Sequence, residues 1–238
     1  CLVGSEMCIR DRDNRGGTLN IEANEININT VNNNEKAGGG AKGIYIQGDS
    51  RNGASILNLK GNVNVNAKVD ADGAGAYGIH AEENSVITID GNLTMKDKNG
   101  SWGVTSGGEI FDKYAGLYVS QATNTGKPQT GTINVNGNVD LAVDGIALLA
   151  DGQGGKINIK GGNILVNKDA SKLNYVAVAK NGSTINMNMA AEGDAAATEA
   201  LKVSGNIGLL KKSYETAYDT AINICLLYTS DAADEGLG

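Results

Sequence analysis

The chain has 238 residues and a formal net charge of −7, with 34 glycines but one proline, one phenylalanine, one tryptophan and one histidine. An acidic balance argues against nucleic-acid binding, which needs Lys and Arg clustered against phosphate, and a single histidine excludes a multi-histidine metal site. No apolar run approaches the roughly 18 residues of a membrane-spanning helix, and the glycine-rich, aromatic-poor make-up fits a repetitive all-β chain with a thin core of Ile, Val and Leu.

In chain order, the two end tracts come first. Residues 2–12 and 225–235 share neither the composition nor the rhythm of what lies between them. The stretches 6–11 and 225–230 read as opposite-strand translations of one DNA element, which resembles the transposase mosaic end of sequencing libraries. Residues 1–12 and 225–238 are therefore expected to be adapter-derived, and residues 13–224 to be a segment of a longer gene product. All three cysteines (Cys1, Cys8 and Cys225) fall in these tracts, so the segment between them has no disulfide framework. Setting aside the tracts' two basic and five acidic residues leaves a charge of about −4.

Between the tracts one unit recurs about six times. A first alternating strand is predicted at residues 43–47, 78–82, 116–120, 145–149 and 175–179, with a weaker sixth copy at 200–204. The copies start 35, 38, 29, 30 and 25 residues apart. A second strand follows a turn, at 56–59, 86–89, 132–135, 156–159 and 184–187, and residues 18–21 belong to the same set. Then comes a Gly-Asn corner, at Gly61 and Asn62, Gly91 and Asn92, Gly137 and Asn138, Gly162 and Asn163, and Gly205 and Asn206. Both residue types tolerate the positive φ that a sharp corner needs. A third strand leaves the corner at 63–65, 93–95, 139–141, 164–166 and 207–209.

Each strand alternates with period two, so one face is buried and the other exposed. Aligning the copies gives three inward columns. They are Ile44, Ile79, Leu117, Ile146 and Val176; then Leu19, Leu57, Ile87, Ile133, Ile157 and Ile185; then Ile26, Val63, Leu93, Val139 and Ile164. Three short strands per coil, apolar on one side, close into a triangular prism, a parallel β-solenoid in which stacked coils bury what one coil cannot. At an inter-strand spacing of about 4.8 Å, six coils form a rod segment roughly 30 Å long. An antiparallel sandwich or up-and-down barrel also gives short strands at regular spacing. A propeller needs blades of about 40 residues.

The pattern Gly-Ile-x-Ile, turn, Thr-Ile-Asn-Val, Gly-Asn-Val across residues 16–210 resembles the passenger domains of autotransporters, including self-associating adhesins. That resemblance implies a right-handed parallel β-helix, exported through an outer-membrane barrel to the cell surface of a Gram-negative bacterium. It implies adhesion or aggregation rather than catalysis, no cofactor, and as partners host surface glycans, matrix proteins or copies of the chain itself.

Outward positions of the first strand read Tyr45, His80, Tyr118, Ala147 and Ala177. A Tyr-His-Tyr stack suits sugar rings or a partner surface, or is a cross-strand ladder that only stabilises the sheet. Outward positions of the second strand read Asn20, Asn58, Thr88, Asn134, Asn158 and Asn186, a polar column that binds ligand or forms an amide ladder from coil to coil. The excursions at 66–77, 96–115 and 121–131 are the variable parts, and the second carries Trp102, Phe111 and Tyr114, contact candidates or aromatics packed on the rod's flank. Asp70 and Asp72 beside Gly73 are too few oxygen ligands for a calcium loop, and Gly38 to Gly40 lack the Lys-Ser/Thr of a phosphate loop. The competing class is a β-helical polysaccharide lyase or hydrolase, which needs clustered carboxylates. Glu82 and Asp140 are the outward acids, each expected to stand alone.

Overall fold

The computed structural model describes residues 16–32, 40–48, 53–69, 75–96, 103–105, 114–121, 130–167, 175–190, 201–205, 209–212 and 220–227. The strands in chain order begin with β1 (Gly17–Asn32), β2 (Ala41–Gln47), β3 (Ser55–Val69), β4 (Ala76–Glu82), β5 (Ser85–Asp90), β6 (Leu93–Met95), β7 (Val104–Thr105) and β8 (Tyr114–Ser120). They continue with β9 (Thr132–Val143), β10 (Ile146–Asp151), β11 (Lys156–Val166), β12 (Tyr175–Lys180), β13 (Thr184–Ala190), β14 (Leu201–Gly205), β15 (Leu209–Lys212) and β16 (Ala221–Leu227). The described residues contain no helix.

These strands make two sheets. The larger runs β1-β3-β5-β9-β11-β14-β13-β16, with β6 and β7 each lying between β3 and β9; the smaller runs β15-β12-β10-β8-β4-β2. The chain visits the large sheet, crosses to the small one and returns. Every pairing between these strands is parallel, from β1 on β3 to β13 on β16. An antiparallel sandwich, an up-and-down barrel and a propeller all require antiparallel neighbours, so parallel pairing rules them out for the described residues.

Register is continuous along the large sheet. Leu19, Leu57, Ile87, Ile133, Ile157, Ile185 and Ile222 lie opposite one another in turn. The five from Leu57 to Ile185 are fully buried, each contributing about 1.5–3 kcal/mol of apolar transfer. Leu59, Ile89, Val135, Ile159 and Met187 form a second buried row two residues on.

The second and third segments do not everywhere form separate strands. In β1, β3, β9 and β11 a single strand runs through the corner, which survives as a bend where the register of β1 on β3 and of β9 on β11 shifts, whereas β5 and β6 are divided. Gly61 sits there at φ +128°, where a Cβ would lie 1.7 Å from the Ala23 carbonyl oxygen, so only glycine lets the neighbouring backbones approach.

Several alignments move by one or two residues. Gly162, not Ile164, lies opposite Val139, and Ile164 lies opposite Leu141, because β11 has one residue fewer than β9 across the bend, where matching the two Gly-Asn corners gives it one more. Leu148, not Ile146, continues the row of Ile44, Ile79 and Leu117, and Ala177, not Val176, lies opposite Leu148. The expected sixth first strand, residues 200–204, belongs to the large sheet: β14 pairs with residues 162–166 of β11, and β15 takes the place in the small sheet. An alternating Leu-Lys-Val fits either place, and only pairing decides. Asn206 and Ile207 lie outside the described residues. β16 runs in register along β13 from Thr184 to Ala190, so Cys225, Leu226 and Leu227 continue a strand. Residues 1–12 and 228–238 are outside the description.

Candidate recognition face and its buried histidine

The outer face of the small sheet carries the aromatic column. Tyr45 lies opposite His80, and His80 opposite Tyr118. The ring centroids are 5.1 Å apart for Tyr45 and His80, and 4.4 Å for His80 and Tyr118, the latter pair stacked. Tyr77 joins from the same strand, 5.3 Å from His80 and 4.9 Å from Tyr118. Strict alternation would put Tyr77 and His80 on opposite faces. It fails at Gly78, whose missing side chain leaves room for Met95 of the third segment: a Cβ there would lie 2.7 Å from the Met95 sulfur. Gly78 and Ile79 are both buried, and both rings face out.

Ala147 and Ala177 do not extend this column; both belong to the inner core. The column continues as Leu149 and Val178, which lie in register with Tyr118. With Ala115 and Ile146 they form a second apolar cluster, against which Tyr77, Tyr118 and Tyr175 pack. The outer face is therefore aromatic over β2, β4 and β8 and aliphatic over β10 and β12, with Tyr175 at the start of β12.

A polar rim surrounds the rings. Lys42 Nζ stands 3.5 Å above the Tyr45 ring, a cation–π contact. The Tyr45 hydroxyl donates to Glu82 Oε2 at 2.5 Å and lies 3.1 Å from Gln47 Oε1. Gln47 Nε2 donates to Glu83 Oε2 at 3.4 Å. Burial, and then the bond to Glu82, push the Tyr45 hydroxyl well above its usual range, so it stays protonated. Burial pulls the Lys42 ammonium down, partly offset by Glu82. Asp140, also expected to stand alone, is paired with Lys96 at 2.5 Å.

His80 is the least ordinary member. It is 5 % exposed, its Nε2 lies 2.8 Å from Ser120 Oγ, and its Nδ1 is buried without a hydrogen-bond partner. Burial, and secondarily Lys42, hold the imidazole well below 6.5, so the ring is neutral at pH 7.

The asparagine column forms amide-to-amide bonds. Asn58 Nδ2 donates to Asn20 Oδ1 at 2.8 Å, Asn158 to Asn134 at 2.7 Å and Asn186 to Asn158 at 2.5 Å. Asn223 adds another rung, donating to Asn186 at 2.8 Å. Thr88 occupies the position between Asn58 and Asn134. A parallel ladder on the third segment has Asn64 donating to Asn27 and to Glu25, each at 2.8 Å. Lys60 and Glu22 pair at 2.7 Å beside a groove floored by Gly61 and Gly91.

Tyr114 opens β8, its backbone opposite Ala76, rather than sitting in an excursion. Trp102, Phe111 and the Asp70–Gly73 turn lie outside the described residues. Sequence reading missed a third column, the small buried residues just before each second segment: Ser55, Ser85, Gly131, Gly155, Ser183 and Thr220. Ser183 Oγ donates to the Ala150 carbonyl at 2.8 Å, and Thr220 Oγ1 accepts from the Gly182 amide at 2.8 Å. The signal was a small residue at one fixed place in every copy. The ion pair of the buried Lys180 with the partly buried Asp151, 3.0 Å, was also unforeseen.

Among the described residues no three His, Cys, Asp or Glu side chains converge as metal ligands, and no helix is long and apolar enough to cross a membrane. Comparison with protein-family models, with curated proteins and with solved structures finds no match to this chain.

Proposed function

We propose that the chain is a segment of a right-handed parallel β-helix, with three strand segments per coil and about six coils, carried in the passenger of an autotransporter adhesin. In this reading it stands at the surface of a Gram-negative bacterium as a rod that attaches the cell to host glycans or matrix proteins, or to copies of itself. The observation that carries the reading is the unbroken register from Leu19 to Ile222, with one inward apolar position at each step and one outward position that is an amide at every step but Thr88. A repeat of this kind lengthens by adding steps and offers long regular faces, which suits display and contact more than enclosure of a substrate. The half-buried Tyr45, Tyr77 and Tyr118, rimmed by Gln47 and Glu82, add aromatic surface with hydrogen-bonding groups beside it.

The test is a bead assay. Beads coated with the chain are expected to clump, or to bind a panel of immobilised glycans and matrix proteins. Beads that do neither remove the adhesive reading. Lysines placed at Asn58 and Asn134 separate two contact modes: clumping is lost if the flat amide face mediates it and persists if the excursions do. Export is tested on the full gene, whose reading frame is expected to end in roughly a dozen alternating amphipathic strands; a catalytic domain there removes the autotransporter assignment.

A further inference from the structure

We infer that His80 is an acid-sensitive pin in the outer aromatic stack: in mild acid its ring takes a proton, leaves the stack and exposes the faces of Tyr45 and Tyr118, while the inner core stays closed. The geometry carries this in three steps.

The site accepts a neutral ring and has no provision for a charged one. Nε2 is satisfied by Ser120, but Nδ1 has no partner. Protonation makes both nitrogens donors, so a buried N–H would face no acceptor while the ring also loses its hydration. The groups around it do not compensate. From β2 comes Lys42, held over the neighbouring Tyr45 ring and of the same sign as an imidazolium. From β4 comes Glu82, whose Oε2 already accepts from the Tyr45 hydroxyl, and at the turn beyond it Glu83, whose Oε2 accepts from Gln47 and whose Oε1 is buried without a partner; neither carboxylate offsets the burial of the ring. From β8 come Tyr118 and Ser120, both neutral, and Tyr118 in turn lies opposite the apolar Leu149 of β10. Tyrosine faces favour a cation, but not enough to offset lost hydration and an unanswered donor. Burial and Lys42 act together in holding the ring neutral.

The exit is also local. His80 projects from the outer face, whereas Ile79 and Ala81 beside it point into the core. The ring can leave by rotating its side chain, giving up the contacts to Tyr45, Tyr77 and Tyr118 and the bond to Ser120. The backbone pairing of β4 with β2 and β8 is untouched by that rotation. Releasing the pin is thus far cheaper than opening the rod.

The chain has one histidine, so a single imidazole resonance reports this site. The full chain is titrated from pH 8 to pH 4 by NMR, with near-UV and far-UV circular dichroism on the same samples. The expected result is an imidazole midpoint clearly below 6.5, loss of the near-UV tyrosine signal over the same interval, and retained far-UV strand signal. His80→Gln, which cannot take the proton, is expected to keep its tyrosine signal through that interval. If that variant does not fold, the wild-type comparison of imidazole and tyrosine titrations decides alone. The inference is overturned if the imidazole titrates at its ordinary value with the tyrosine signal unchanged. It is equally overturned if His80→Gln loses the signal over the same interval, which assigns the change to Glu82 and Glu83, or if far-UV signal is lost together with near-UV.

Discussion

Replacing Asn158 by alanine tests whether the amide column stabilises the large sheet. Asn158 donates to Asn134 at 2.7 Å and accepts from Asn186 at 2.5 Å, so the substitution removes two hydrogen bonds from the middle of the ladder. A net hydrogen bond contributes about 0.5–1.5 kcal/mol. Asn158 is half-buried, and water replaces part of what is lost, so the two bonds together sum to about 1–2 kcal/mol. For a chain of this size each kcal/mol moves Tm by about 2–4 °C, and the expected fall is about 2–8 °C in a far-UV melt. Asn20 is the internal control. It accepts one bond, from Asn58, and is exposed, so Asn20→Ala is expected to lower Tm by less than about 2 °C. Equal effects at the two positions, or none at Asn158, would refute the argument that ladder bonds stabilise through their number and their shielding from water.

Thr88→Asn fills the gap between Asn58 and Asn134 and is expected to raise Tm by about 2–4 °C through about 1 kcal/mol of new bonding; a fall would mean that the amide does not reach its neighbours. Leu57→Ala, at a fully buried position, is expected to cost about 2–5 kcal/mol, whereas its outward neighbour Ile56→Ala costs less than half of that, and matching urea midpoints would contradict the inward–outward assignment. Gly61→Ala places a Cβ 1.7 Å from the Ala23 carbonyl oxygen and is expected to loosen β1 from β3, seen as faster amide exchange in both strands, while Gly53→Ala, at φ +96° with no atom within 4 Å, adds only local strain. Because the folded imidazole of His80 lies below its unfolded value of 6.5, the unfolded chain takes up the proton first as pH falls. The stability from keeping the ring neutral is therefore complete above about pH 6.5 and declines below it, by up to about 1.4 kcal/mol per pH unit, until the folded ring protonates or leaves its site. Urea midpoints that stay flat from pH 7 to pH 5 would contradict that sign.

Much of this architecture is legible along the chain because it repeats. Leu57, Ile87, Ile133, Ile157 and Ile185 occupy one row and are buried as the period-two pattern requires. The outward asparagines occupy the next row and bond to one another wherever two amides adjoin. Tyr45, His80 and Tyr118 also come together as their spacing suggested. What alternation does not carry is register. A slip of two residues leaves the same faces in and out, so alternation does not choose between Gly162 and Ile164, and the residue count across the bend decides; at Ile146 the alternation itself breaks, putting Ile146 in the outer cluster and Leu148 in the inner core.

The sequence by itself determined that the chain is all-β, which side chains form the inner row of the second strand segment, and which amides line its outside, because each is a local property repeated at every step. The parallel pairing agrees with what the repeat predicts, and the tertiary structure alone decided how the rows are registered. It also placed Tyr77 beside His80, the Ser120 hydroxyl on one ring nitrogen, and the other ring nitrogen without a partner. Those contacts join residues up to 40 positions apart. Only the stacking of one step on the next brings them within reach, and the burial that keeps His80 neutral belongs to the stack rather than to the residue.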